Sequence, residues 1–431
     1  MHALIFIGRL DAPELAGLAP LDRLVHTAAA AGCRRVHLAG ARAAEAFSRL
    51  QERTRAAVAV APVGPAEEAA GVVDDLAREP RVLVLHGDVA IDPPSLRTFL
   101  DRAAAARGVG AVVAVREGPA PRHPAAATLT MAGRPAHTVG LAVVPGEAAA
   151  VVAPAEDGAT PLFAQLAREH ESGAVALQAV HGALPCLVDD AGRAAVEAAL
   201  VRAAGKETDG FVSRLFNRRI SGAVTRLLLA GRVAPNTITF ALLGLGVLTG
   251  LILLEGSHAA VVVGTLLYQI NSTLDGCDGE IARVRFETSR FGAWADTLSD
   301  QVTNLAFFVA LPLGLYRRTG DPVHFALAVL IVAGVVTLLG AVYVKSRRIG
   351  DEAHFSDYGR SIARAFAPGS FAARAIATVS TFLRRDSYAL LFFVLALAGA
   401  DAFIVYLIAA GVLVHFASIA LPARGRQELD A

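Results

Sequence analysis

The sequence predicts a two-part protein: an N-terminal α/β unit with a mostly parallel sheet, followed by an all-α membrane domain of six transmembrane helices. Three observations predict it. Apolar residues make up 54% of the 431 and charged residues only 18%, and they are unevenly placed. The first two hundred residues mix Ala, Val, Arg and Glu, and short β-like runs alternate with helical stretches, the pattern of a soluble parallel-sheet unit. From about Phe240 onward long apolar runs dominate, as bilayer-spanning helices require. The boundaries read as 1–200 for the α/β unit, 201–234 for an interfacial helix and linker, and 235–431 for the membrane domain.

Within the first part, Ala3–Ile7, Arg35–Ala39, Ala57–Ala61, Arg81–Leu85, Gly110–Val115 and Thr138–Val144 read as strands. Phe211 to Leu229 then sets Phe211, Leu215, Ile220, Val224 and Leu227 to Leu229 against Arg214, Arg218, Arg219 and Arg226. Such a stripe suits a helix lying in the membrane interface, and a plain linker helix fits the periodicity equally well. Six spans follow: Ile238–Leu254, Ala259–Leu274, Phe291–Leu315, Phe325–Val344, Tyr388–Gly399 and Phe403–Leu421. The second and fifth are short for a bilayer and are expected to extend into flanking helix. Basic clusters at Arg214 to Arg232, Arg283 to Arg290, Lys345 to Arg348 and Arg384 to Arg385 place those segments, and both termini, in the cytoplasm. Arg317 and Arg318 fall on the opposite side and run against that assignment. The expected location is therefore the inner membrane, multi-pass, with the α/β unit cytoplasmic.

Several classes are disfavoured by composition. A formal net charge of +1 with no basic stripe argues against nucleic-acid binding. Cys33, Cys186 and Cys277 match no zinc spacing and no disulfide framework. Met1 to Ile7 is too short for the core of a signal peptide, and Arg9 and Asp11 follow at once.

The chemistry is concentrated between Asp275 and Asp300. The segment reads Asp275-Gly-Cys-Asp278-Gly279-Glu-Ile-Ala282-Arg283, eight residues, then Gly292, Asp296 and Asp300. Aspartates three and four apart share a helix face. Carboxylates beside apolar spans are costly unless their charge is offset, and a hard divalent cation is the simplest offset. Gly279, Ala282 and Gly292 leave room for a bulky ligand, and Arg283 offers a fork for phosphate oxygens. A lone intramembrane polar contact does not account for this spacing across two helices.

The pattern D-x-x-D-G-x-x-A-R, eight residues, G-x-x-x-D-x-x-x-D resembles that of the CDP-alcohol phosphotransferases, membrane enzymes that move a phospho-alcohol from a CDP-alcohol to a hydroxyl acceptor and release CMP. The resemblance implies two Mg²⁺ or Mn²⁺ ions held by Asp275, Asp278, Asp296 and Asp300, with Asp300 also the general base. It implies nucleotide contacts at Asp275, Gly279, Ala282, Arg283 and Ser289. Pro235-Asn236-Thr237-Ile238-Thr239 resembles the family's first-helix motif, in which Asn236 and Thr239 face the CDP. It also implies a homodimer among membrane lipid. Lys345, Arg347 and Arg348, with Arg360 and Arg364, are candidates for an acceptor phosphate such as inositol phosphate or another polyol phosphate. Positive-inside topology and lipid headgroup contact explain the same cluster equally well.

The N-terminal half resembles a Rossmann-like nucleotidyltransferase. His86-Gly87-Asp88 after a strand is similar to that fold's metal-binding turn, Pro20-Leu-Asp-Arg-Leu-Val and Ala31-Gly-Cys-Arg-Arg-Val to its helix and second strand, and Asp189 or Asp190 to its second metal ligand. The phosphate-cradling Gly-rich turn is replaced by Ile7-Gly8-Arg9-Leu10-Asp11, and no Lys precedes Lys206. The half therefore reads as inactive, structural or regulatory in role. Together the halves resemble the fused inositol-phosphate cytidylyltransferase/di-inositol-phosphate phosphate synthases. The alternatives are an enzyme with an active N-terminal cytidylyltransferase, or a silent membrane protein whose α/β unit binds a partner. A prenyl transferase with paired aspartates is disfavoured by the six spans.

Overall fold

The computed structural model describes every residue except 8–9, 13, 54–57, 65–68, 107, 119, 122, 124, 132–133, 156–158, 181–183, 189–191, 206–216, 350–384 and 421–431. The chain divides into two compact units. One comprises Met1–Gly205 with Leu229–Arg232 and Arg283–Glu287, the other Lys206–Leu228, Val233–Ala282 and Thr288–Ala431.

The first unit runs β1 (His2–Phe6), α1 (Pro20–Ala30), β2 (Arg35–Ala39), α2 (Ala43–Arg53), β3 (Ala59–Pro62), α3 (Ala70–Ala77), β4 (Val82–His86), β5 (Val89–Ala90) and α4 (Pro93–Ala105). It continues with β6 (Ala111–Glu117), β7 (Thr128–Met131), β8 (Arg134–Val144), α5 (Gly146–Val152), α6 (Ala159–Glu169), β9 (Val175–Ala179), β10 (Cys186–Leu187) and α7 (Arg193–Ala203). The main sheet has the order β3-β2-β1-β4-β8-β6-β9. Of these strands only β8 runs against its neighbours, so the sheet is mostly parallel, as expected. Residues 2–6 and 82–86 are buried throughout, which is why both read as continuous runs rather than alternations. Pro20 opens α1, and Asp92 caps α4 by accepting from the Ser95 amide at 2.9 Å, so both helices start where the chain supplies the signal.

The predicted strands appear within about two residues of their expected bounds, except that β8 starts earlier, at Arg134. The sequence did not announce β7, β9 or the β5–β10 pair. Thr128–Met131 and Val175–Ala179 are short and only partly buried, so neither carries a strong apolar signal. All three cysteines are buried free thiols, and burial pushes Cys33 up to about 11.

The helices that follow are α8 (Arg218–Ala230), α9 (Pro235–Leu253), α10 (His258–Leu274), α11 (Cys277–Arg285), α12 (Arg290–Thr319), α13 (Pro322–Ile349), α14 (Arg385–Leu397) and α15 (Asp401–Ala420), all in the second unit except the last residues of α8 and α11. Six of these, α9, α10 and α12 to α15, fall on the six predicted apolar stretches. Among the described residues, α9 and α12 are long and apolar enough to cross a membrane. The interior gathers Leu253, Val261, Tyr268, Phe307, Leu311, Ile331, Phe392 and Ile404, while Leu251, Val329, Leu397 and Leu413 remain more than half exposed, a surface suited to lipid.

Two glycines set the spacing of α9 and α12. A Cβ on Gly246 would lie 2.2 Å from Thr303 Oγ1, and one on Gly250 3.0 Å from the Ala306 Cβ. Close backbone approach through small residues is how apolar helices pack tightly without a hydrophobic driving force between them.

The described part of the predicted interfacial helix is α8; residues 211–216 lie outside the described residues. Its buried side is polar. Asn217 accepts from Thr273 Oγ1 at 3.3 Å and Thr225 donates to Glu280 at 2.7 Å, whereas Ile220 and Leu227 are exposed.

Candidate active site

The four aspartates come from two chain segments. Asp275 is the C-terminal cap of α10, and Asp278 lies in the first turn of α11. Asp296 and Asp300 stand one turn apart on α12, whose start is fixed by Ser289 accepting from the Gly292 amide at 2.9 Å. This arrangement brings carboxylate oxygens of Asp275, Asp296 and Asp300 within 4.8 Å of one another. Asp278 is used differently: buried to 6% exposure, it accepts from the Thr239 hydroxyl, and from the Gly279 amide at 2.6 Å. Thr239 thus reaches the aspartate cluster from the second turn of α9.

Three hard oxygen donors from two helices, partly open to solvent, suit Mg²⁺ or Mn²⁺ better than a soft metal. The residues therefore fit a divalent-metal site. Arg385, at the start of α14, donates through Nη1 to Asp275 at 3.2 Å and to Asp300, and through Nη2 to Asn271 at 2.6 Å. Asn271 is held in place by its own amide, which donates to the Leu242 carbonyl at 2.7 Å. Beneath, Tyr268 donates to Asn304 at 2.6 Å. Neither Arg385 nor Asn271 was singled out from the sequence. An arginine at the first position of an apolar helix was read only as a topology signal.

On the expected nucleotide side, Asn236 lies in the first turn of α9. A Cβ on Gly292 would sit 3.3 Å from Asn236 Oδ1 and 3.1 Å from Ser289 Oγ. Any larger residue there would crowd both side chains, which explains glycine in the motif at this point. Gly279 and Ala282 are half-buried on α11. Arg283 belongs to the first unit, where its Nε donates to the Ala204 carbonyl at 2.5 Å. In the same unit Arg23 donates to the Val284 carbonyl at 2.9 Å, and Phe286 stacks on His26. Lys345, Arg347 and Arg348 are in the last turns of α13, while Arg360 and Arg364 lie outside the described residues.

In the first unit, Asp88 is 6% exposed and accepts from His123 Nε2 at 3.0 Å. His86 stands edge-on to His123, with ring centroids 4.9 Å apart. His123 is a partner of Asp88 that the sequence did not reveal, because thirty-five positions separate them. Asp189 and Asp190 lie outside the described residues, as do Gly8 and Arg9.

Residues 232–419 match the family model for CDP-alcohol phosphatidyltransferase, so the C-terminal part of the chain carries a domain of that family. The chain is 38% identical over 138 residues to a bifunctional IPC transferase and DIPP synthase of Thermococcus kodakarensis, covering 32% of this chain and 30% of that one. A protein of the same name from Aquifex aeolicus is 38% identical over 107 residues, 25% of this chain and 24% of that one. A phosphatidylinositol phosphate synthase of Corynebacterium glutamicum is 30% identical over 147 residues, 33% of this chain and 62% of that one. The matched stretches thus span less than a third of the length of the first two relatives and under two thirds of the third.

Proposed function

We propose that the C-terminal domain transfers a phospho-alcohol group from a CDP-alcohol to a hydroxyl acceptor and releases CMP. The observation that carries this is the convergence of Asp275, Asp296 and Asp300 from two helices inside the matched segment. Two bound divalent ions would supply neutralisation of the donor's diphosphate and polarisation of the attacked phosphorus. Asp275, Asp296 and Asp300 would hold them, with Asp278 completing the set once it turns from Thr239. Asp300 takes the proton from the acceptor hydroxyl as that oxygen attacks. Arg283 offers a charge-assisted contact to the departing CMP phosphate. Asn236 and Thr239 orient the nucleotide, and the small side chains at Gly279, Ala282 and Gly292 let it approach the backbone.

The relatives' names, DIPP synthase and phosphatidylinositol phosphate synthase, support an inositol-phosphate-like acceptor. Lys345, Arg347, Arg348, Arg360 and Arg364 supply the cationic charge such an acceptor needs. The domain is read as a multi-pass inner-membrane enzyme, dimeric, with six spans, the α/β unit and the aspartate cluster on the cytoplasmic side. That α/β unit is read as an inactive nucleotidyltransferase-like domain.

The test is direct. Purified protein in detergent is offered a panel of CDP-alcohols and polyol phosphates, with CMP release followed in the presence of Mg²⁺ and again after chelation. Release that needs metal and one donor–acceptor pair is the expected result. No release from any pair, or full release in chelator, overturns the assignment.

A further inference from the structure

We propose that Arg385 is a built-in counter-cation of the carboxylate cluster, seated where a divalent ion binds and displaced when that ion enters. This rests on the reading of the cluster as a metal site. One nitrogen, Nη1, bridges Asp275 and Asp300, carboxylates from different helices that lie with Asp296 inside 4.8 Å. The second, Nη2, is tied to Asn271, and the guanidinium carbon stands 5.5 Å from the Tyr268 ring centroid. The side chain is only 14% exposed, so this is a seat within the unit and not a passing surface contact.

Arg385 is held by the two carboxylates, by Asn271 and by the face of Tyr268. Its buried Nε has no hydrogen-bond partner among the described residues, so the seat satisfies the fork incompletely. A guanidinium and a divalent ion a few ångströms apart repel strongly where solvent screening is weak, so the two cannot share these oxygens. Metal binding is therefore an exchange. Arg385 keeps the aspartates from repelling one another without metal, and it weakens the apparent metal affinity by competing for the same oxygens.

The experiment titrates full-length detergent-solubilised protein with Mn²⁺, following free Mn²⁺ by electron paramagnetic resonance, and records thermal midpoints in chelator and in saturating Mn²⁺. Arg385→Gln is expected to bind Mn²⁺ on the order of tenfold more tightly than the parent. Its midpoint should fall in chelator and recover in Mn²⁺. Arg385→Lys keeps the charge but cannot span Asn271 and both aspartates, and should show a smaller gain in affinity. It is the measurement that counts if the glutamine variant does not fold. Unchanged or weaker Mn²⁺ binding in a folded variant overturns the proposal, since a merely structural arginine would lower affinity when removed. Parent and variants that all fail to bind Mn²⁺ would instead remove the metal site itself, and this inference with it.

Discussion

Asp300 has two proposed duties, metal ligand and proton acceptor, and both depend on a carboxylate that Arg385 already engages. Asp300→Asn keeps the size of the side chain but cannot take the acceptor's proton. General-base loss alone costs on the order of 10²–10⁴-fold in rate. CMP release should fall at least that far while CDP affinity is largely retained. Normal turnover in this variant would remove Asp300 as the base. Arg283→Ala is expected to raise the CDP dissociation constant with a smaller effect on the rate at saturating donor; unchanged CDP affinity would overturn the phosphate contact. In the first unit, His37 is 2% exposed, and burial followed by the neighbouring His2 pushes it down to about 4. An unfolded chain returns it to about 6.5, so between those values the unfolded state binds more protons. Stability must then fall as pH drops from about 6.5 to about 4, by up to about 3 kcal/mol from this residue. Thermal midpoints of parent and His37→Gln protein, compared at pH 7 and pH 4.5, test this: the loss on acidification should be smaller in the variant.

Among the elements, α12 carries Asp296 and Asp300, and its approach to α9 depends on Gly246 and Gly250. Gly246→Ala puts a methyl where Thr303 now sits, and overpacking of this kind costs about 1–3 kcal/mol. A lowered thermal midpoint with a displaced or weakened Mn²⁺ site is expected; an unchanged midpoint would show that the helices can part without cost. Much at this scale was legible in the sequence. Asp275, Asp296 and Asp300, which meet within 4.8 Å, were readable because a fixed spacing on adjoining helices is local information, and six helices fall on the six apolar stretches. Arg385 and Asn271 were not readable, since their meeting links positions over a hundred residues apart. The different use of Asp278 was hidden for the same reason: its partner Thr239 lies on another helix. Likewise β7 and β9 exist because β8 and β6 offer them open edges, a tertiary cause with little trace in their own composition.

For the molecule as a whole, the question is whether one chain performs one reaction or two. Two relatives, 38% identical over parts of their length, bear the name bifunctional IPC transferase and DIPP synthase, so an active first half deserves a direct comparison. Two features of this chain oppose it. No lysine precedes Lys206, so the half lacks the ammonium that a triphosphate site of this type would use. The sequence after β1 reads Ile7-Gly8-Arg9-Leu10-Asp11 and offers a single glycine. His86, Asp88 and His123 bring possible metal-ligand atoms within 4.8 Å of one another, so Asp88 itself does not argue against a metal there. Full-length protein incubated with CTP, Mg²⁺ and a panel of phospho-alcohols should therefore release no pyrophosphate above background. The same preparation given a ready-made CDP-alcohol and its acceptor should release CMP. With the phosphate cradle gone, as the missing lysine and glycines imply, no CDP-alcohol is made from CTP. Pyrophosphate release by the parent chain would show that other residues have rebuilt the cradle, and the protein would then make the donor that its membrane domain consumes.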